Sequence, residues 1–390
     1  MRAEQEARKT MSRPTTFVQV HSFYPAYLEK FYASRPSLGD RPVREQIRAM
    51  VDDGYSGTHL LGRYLEPLGY ECELIVGNCP QAQARWLAEH GMGDRTPASP
   101  MEMLALQLET LAPDVVYFTD SVLFHDGLVG SLARRPGLVI GWRAAHVPQA
   151  IRWTQYDVLL SCLSGIRAAA LEQGARAAEP FAPGFPDHVA AAIPFPQAKD
   201  VDITFLGHYT TGIHPDRNRL LEVVAATASR LGATCRLHLS GDLHAVPAAV
   251  KAHQAPPLFG MDMYRAIARS RLCFDARGNI WLRDGHARMV RDLAGNETAN
   301  MRLFEGAGCG SLVLTQQRDN LKEFFCPDAE MATYGNDREL EERIESLLAR
   351  PDETSAMAAR ARQRCLRDHA MSCRARQFDE MLRRHWPNRR

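Results

Sequence analysis

The chain has few lysines, no paired cysteines, no long apolar run and no excess of either charge. Lys+Arg is 47 against Asp+Glu 46, a net charge of +1. That balance excludes a global positive field for gripping a nucleic-acid backbone, so no nucleic-acid partner is expected. Only Lys9, Lys30, Lys199, Lys251 and Lys322 are lysines, so the cations are nearly all Arg, whose planar forks suit phosphate and carboxylate. Nine cysteines stand singly, without a C-x-x-C pair, as reduced thiols of a cytoplasmic protein do. Residues 1–13 are charged and lack an apolar core, so they read as a disordered extension rather than a signal peptide. No apolar run approaches the roughly 20 residues that span a bilayer. The histidines are dispersed, and no metal site is expected. No G-x-G-x-x-G follows the first strand, which disfavours a dinucleotide dehydrogenase. No repeat recurs at periods of 20 to 50 residues.

What is present is 390 residues, 45% hydrophobic and 24% charged. That is a globular composition with more length than one core needs. Strand-like and helix-like runs alternate. Thr16–Val20 reads as a first strand, Gly57–Leu68 as a helix, Cys72–Val76 as a strand and Met101–Leu111 as a helix. Val115–Phe118, Leu138–Trp142 and Asp157–Leu160 are short continuous apolar strands, and Gly165–Gln173 is helical. Such strands between helices imply a parallel sheet covered on both faces. Pro180 to Pro196 holds six of the chain's prolines and glycines and breaks the rhythm, as a linker does.

The rhythm then restarts. Strands are expected at Asp202–Gly207, Cys235–Leu239, Leu272–Phe274 and Ser311–Thr315, and helices at Asn218–Arg230, Met263–Arg269 and Thr298–Gly308. After Glu339 the chain is helical. Phe378, Met381, Leu382 and Trp386 form one apolar stripe that must bury against something. The fold class is therefore α/β, with two Rossmann-like doubly wound domains at 14–195 and 196–370 and a terminal helix at 371–390 returning to the first. Ligands of such sheets bind at the carboxyl ends of the strands, here in the cleft between domains.

The most informative segment runs from Asn296 to Leu314. Thr298 is a candidate N-cap and Gly310 a terminator, followed at once by a strand. The helix start offers free N–H groups to an anion. Glu305, two turns in, is suited to accepting bonds from a diol such as a ribose. Glu297 precedes the helix, with seven residues between the two carboxylates. The Arg302-Leu303-Phe304-Glu305 run, its small-residue turn and its strand resemble the group-1 type glycosyltransferases of the GT-B fold, most closely their CgeB-like (spore-maturation-like) branch. Asp202–Gly207 with Arg217 and Arg219, Gly260–Phe274, Tyr334–Leu348 with His369 and Arg374, and Tyr156–Leu160 with Gly174 and Pro183-Gly184-Phe185 add to the likeness. It covers about Asp114 to Leu382 and is poor over the first hundred residues.

The resemblance implies a hexosyltransferase. The second domain grips a nucleotide-diphosphate sugar, and the first presents an unidentified glycan, lipid-linked or protein acceptor. Glu305 matches the carboxylate on the donor ribose. Glu297 falls at the first carboxylate of the E-x7-E pattern of retaining enzymes, near the transferred sugar. Arg217, Arg219 and Arg302 are placed to neutralise the diphosphate, with Asn300, Thr298 and Gly207 beside them, so neither metal nor cofactor is required. His146, after the strand Leu138–Trp142, is the expected first-domain residue facing the sugar. Asp120, His125 and His59 compete with it. Polysaccharide or glycoconjugate synthesis in the cytoplasm follows; the Arg-rich end reads as a solvated tail, with peripheral membrane contact as the alternative. The alternatives are a nucleotide-sugar epimerase or hydrolase of the same fold, and a non-catalytic sugar-nucleotide-binding scaffold.

Overall fold

A computed structural model describes residues 13–124, 127–298 and 300–386. The expected extension at the N-terminus, the last four residues and the candidate His125 lie outside them. The chain builds two six-stranded sheets, parallel throughout. The first uses β1 (Thr15–His21), β2 (Tyr70–Val76), β3 (Val115–Phe118), β4 (Leu138–Trp142), β6 (Val158–Ser161) and β7 (Ala177–Pro180), in the order β2-β1-β3-β4-β6-β7; β5 is the two-residue strand Val147–Pro148. The second uses β8 (Val201–Tyr209), β9 (Cys235–Gly241), β10 (Gln254–Ala255), β11 (Ser270–Phe274), β14 (Leu312–Gln316) and β15 (Ala332–Tyr334), in the order β10-β9-β8-β11-β14-β15. The apolar runs explain the pairing: all four residues of β3 are 0% exposed, as strands covered on both faces require.

The helices that matter for the site are α1 (Pro25–Ala33), α2 (Ser164–Glu172), α3 (Pro215–Leu231), α4 (Gly260–Ala268), α5 (Met301–Gly308), α6 (Asp337–Ala349), α7 (Pro351–Asp368) and α8 (Met371–His385). The expected helix over Gly57–Leu68 is broken. Ser56 takes a left-handed φ of 56°, and three short turns replace one helix, with Pro67 inside the last. Helices at Pro25–Ala33, Val43–Asp53 and Pro80–Glu89 fill the stretch in which the sequence pattern was weakest. Helix α8 lies on the first sheet: Phe378 and Leu382 are 0% exposed in one core with Phe17, Tyr117 and Ile140, and Phe378 meets Phe17 edge-on at 5.8 Å.

One element crosses between the sheets unannounced by the sequence. After β11 the chain makes a hairpin of β12 (Trp281–Arg283) and β13 (Met289–Asp292). Strand β12 pairs in parallel with β5, Leu282 opposite Val147. Ile280, Leu282, Leu293 and Ala294 bury in the core of the first sheet. Gly165, at the start of α2, permits the approach: a Cβ there would lie 2.4 Å from the Leu293 carbonyl oxygen. The two halves are thus tied by the hairpin as well as by the linker and α8.

Candidate functional site

Strand order reverses between β1 and β3 in the first sheet and between β8 and β11 in the second. At such a switch point the loops leave in opposite directions and open a crevice at the carboxyl ends of the strands. The two crevices face each other across one cavity of about 580 Å³. Its walls carry His21 and Thr119 from the ends of β1 and β3, and Gly207, His208 and Asp275 from the ends of β8 and β11. Tyr24 and His208 meet edge-on across it at 4.9 Å.

Helix α5 starts at this cavity. Its cap is Asn300 rather than Thr298: the Asn300 Oδ1 accepts from the Arg302 N–H at 2.9 Å. The same side chain donates through Nδ2 to Asp275 Oδ1 at 2.7 Å, and Asp275 Oδ2 accepts from the Thr315 hydroxyl at 2.8 Å. Asp275 therefore ties the ends of β11 and β14 to the helix start, and burial pushes its carboxyl above the usual range. Thr298 is fixed through its backbone by Asn320, at 2.8 and 2.7 Å, and its hydroxyl, 1% exposed overall, has no partner among the described residues.

Glu305 lies one wall deeper, 2% exposed and lining the cavity. Burial raises its carboxyl, while Arg302 beside it at 2.8 Å opposes the shift. The Arg302 guanidinium also donates to the Leu206 carbonyl at 3.1 Å, which fixes the pair against the end of β8. Gly207 keeps that strand end thin, since a Cβ there would meet the Phe205 ring at 2.8 Å. Arg277 reaches the cavity too, but its guanidinium is spent on the carbonyls of Ala294, Gly295 and Glu297.

Arg217, in the first turn of α3, differs from all of these. It lines the cavity and has no ion pair or side-chain hydrogen bond to any described residue; its Nε is buried and unpartnered. Burial pulls its pKa down to about 10. A half-buried cation with no ion-pair partner, on which Asp275 acts only at longer range, leaves room for an anion from outside the chain.

The cavity thus gathers Glu305, Arg217, Arg302, Asn300, Thr298 and Gly207 from the expected site. It leaves three residues out. Arg219 faces outward from α3 and pairs with Asp337 at the start of α6. Glu297, expected beside the sugar, caps α2 of the first half by accepting from the Ser164 N–H at 2.6 Å, and lines a separate cavity of about 410 Å³ with Arg364 and Arg374. His146, expected to face the sugar, is locked behind the wall. Its Nδ1 accepts from the Trp281 N–H at 2.9 Å, Arg283 lies against Nε2 at 3.3 Å, and its ring stacks on His214 at 5.6 Å. Burial lowers its pKa to about 4. Of the competitors, His59 and Asp120 do line the cavity. His21 and Asp275 were missed, though each directly follows a strand read from the sequence at a position where the strand order reverses.

The sequence also holds an Asp-x-Asp triplet, Asp200-Val201-Asp202, at the opposite end of β8 from the cavity. Both carboxylates are engaged there, by Arg269 and by Arg271 with the Thr234 N–H. Among the described residues no group of three His, Cys, Asp or Glu side chains is placed to hold a metal, and no helix is long and apolar enough to cross a membrane.

Comparison with known proteins adds a family match over part of the chain and a fold. Residues 217–380 match the family described as glycosyl transferase-like. No curated protein matches the chain. Among solved structures, a glycosyltransferase from Rickettsia africae ESF-5 superposes with a TM-score of 0.56 at 12% identity, covering 97% of this chain and 100% of the other. Anabaena Alr3699/HepE in complex with UDP-glucose gives 0.55 at 12% identity, covering 94% and 99%. AviGT4, a glycosyltransferase involved in avilamycin A biosynthesis, gives 0.54 at 17%, covering 96% and 99%. The chain has the GT-B fold of these glycosyltransferases.

Proposed function

We propose that the chain is a glycosyltransferase that moves a hexose-type unit from a nucleoside diphosphate sugar to an acceptor hydroxyl. The observation that carries this is Arg217, a half-buried guanidinium without an ion pair to any described residue, beside the start of α5 in a cleft that also holds Glu305. In this reading residues 196–370 hold the donor, with the ribose diol on Glu305. The diphosphate sits against Arg217 and the start of α5 at Asn300 and Met301. Residues 14–195 present the acceptor, and the helix Met371–His385 closes the fold back on them. As the glycosidic bond breaks, charge builds on the leaving diphosphate, and fixed cations there lower the barrier without a metal.

Retention of configuration is the stereochemistry we propose. The acceptor oxygen bonds to the anomeric carbon as its bond to the diphosphate breaks, on the same face. The acceptor proton passes to a phosphate oxygen of the leaving group. An inverting reaction needs a strong base across the cleft. Of the described groups there, burial pulls His21 and His59 down to about 3, and Asp120 Oδ1 is already engaged by Arg143 at 2.8 Å and by two backbone N–H groups. The test is incubation with UDP-, GDP-, dTDP- and ADP-glucose, with and without added glycosides. Nucleoside diphosphate released only with acceptor, and a product anomer matching the donor by proton NMR, support the reading. An isomerised donor without acceptor, or an inverted product, opposes it.

A further inference from the structure

The two walls of the cleft differ in charge. Its three described guanidinium groups, Arg217, Arg277 and Arg302, all belong to the second half, as do Asp275 and Glu305. The first half contributes one charged lining residue, Asp120, which Arg143 neutralises. The rest of that wall is aromatic or neutral: Phe23, Tyr24, Tyr55 and Trp142, with the His59 ring against Trp142 at 4.3 Å. Burial holds His59 and His21 uncharged at neutral pH.

Two polar atoms in this wall lack partners among the described residues. His21 is 5% exposed, and its Nδ1 is bound to the Thr119 hydroxyl at 2.6 Å. Its Nε2 is left over. The Trp142 Nε1–H is left over as well. A hydroxyl complements both, because it donates to a bare imidazole nitrogen, accepts from an N–H, and suits either neutral tautomer of His21. A phosphate or carboxylate does not fit, since no free cation on this wall would offset its desolvation.

We infer that this wall is an acceptor subsite for an uncharged, hydroxyl-bearing ring, with His21 as its main hydrogen-bonding partner and Trp142 flanking it with its ring face and Nε1–H. The inference rests on the glycosyltransferase reading and adds the class of acceptor. Thr119 is a positioning residue, acting through the orientation of the His21 ring.

The test pairs donor titration by calorimetry with acceptor kinetics, using whichever of the four nucleotide glucoses binds. Methyl β-D-glucoside and a simple phenol stand for the two sources of a neutral hydroxylated ring. Glucose 6-phosphate and glucuronate are the charged counterparts. Transfer to a neutral ring at ten times the rate for its charged counterpart is expected, and the two neutral arms tell a sugar from a phenolic acceptor. In His21→Ala and Thr119→Val the acceptor KM should rise about tenfold while donor Kd stays within twofold, and His21→Asn should recover part of the loss. Faster transfer to the charged rings, or equal losses of donor and acceptor affinity, overturns the subsite. Donor binding with no transfer to any neutral ring overturns the subsite alone; absence of donor binding overturns the donor reading with it.

Discussion

Replacing Arg217 by Gln should make the protein more stable and the site weaker. Each tenfold change in proton affinity is worth about 1.4 kcal/mol. A guanidinium pulled down to about 10 therefore carries a charging cost of at most about 3 kcal/mol, which water at the cavity mouth reduces to about 1 kcal/mol. No described carboxylate pairs with Arg217, so its loss orphans nothing. A typical ion-pair deletion has the opposite sign, because it leaves the partner's charge buried. With ligand the balance reverses. A charge-assisted bond to a diphosphate is worth about 1.5–3 kcal/mol, a ten- to hundredfold loss of affinity. Urea unfolding of the free protein and calorimetry with a nucleoside diphosphate measure the two halves. A variant less stable than the parent, binding the diphosphate equally well, would show that Arg217 serves the fold.

Three further outcomes follow from the same structure. Leu293→Ala, 1% exposed under the first sheet, should cost about 2–4 kcal/mol by urea unfolding, and a loss below about 1 kcal/mol would take the crossing hairpin out of that core. Glu297→Gln should cost about 0.5–1 kcal/mol as a weakened cap of α2, with turnover within twofold; a tenfold fall in turnover at unchanged stability would return Glu297 to the chemistry. Burial lowers folded His21 to about 3, against 6.5 when free, so between those values the unfolded chain binds the extra proton and stability falls as pH falls. His21→Asn should lessen that slope by about 1.2 kcal/mol per pH unit between pH 6 and 5, and equal slopes would mean that His21 takes up its proton in the folded state.

Much of the sheet was legible because its strands are short apolar runs, and Val115–Phe118 and Leu138–Trp142 appear at the expected bounds. The second half's wall of the cleft was legible for a related reason: Arg302 and Glu305 sit on a helix whose small-residue end and following strand are plain in the sequence. The rest depended on tertiary geometry. Seven-residue spacing brings Glu297 near Glu305 along the chain, but the turn at Ala294 to Glu297 sends its side chain to the cap of α2. His146 follows the right strand, yet a hairpin 135 residues later claims its ring. That hairpin was unreadable because β12 is three residues long, β13 is exposed at every position, and the strand that β12 joins, β5, has only two residues. Arg217 and Arg219 lie two residues apart on one helix turn, and the helix phase alone sends one inward and the other to Asp337.

The most direct test of the donor site is titration of the parent protein with UDP, GDP, dTDP and ADP, and with the matching nucleosides. The expected result is one diphosphate bound at least tenfold more tightly than its nucleoside, with that preference lost in Arg217→Gln. Diphosphate and nucleoside binding alike, or no binding of any diphosphate, would contradict a nucleotide-sugar site in this cleft.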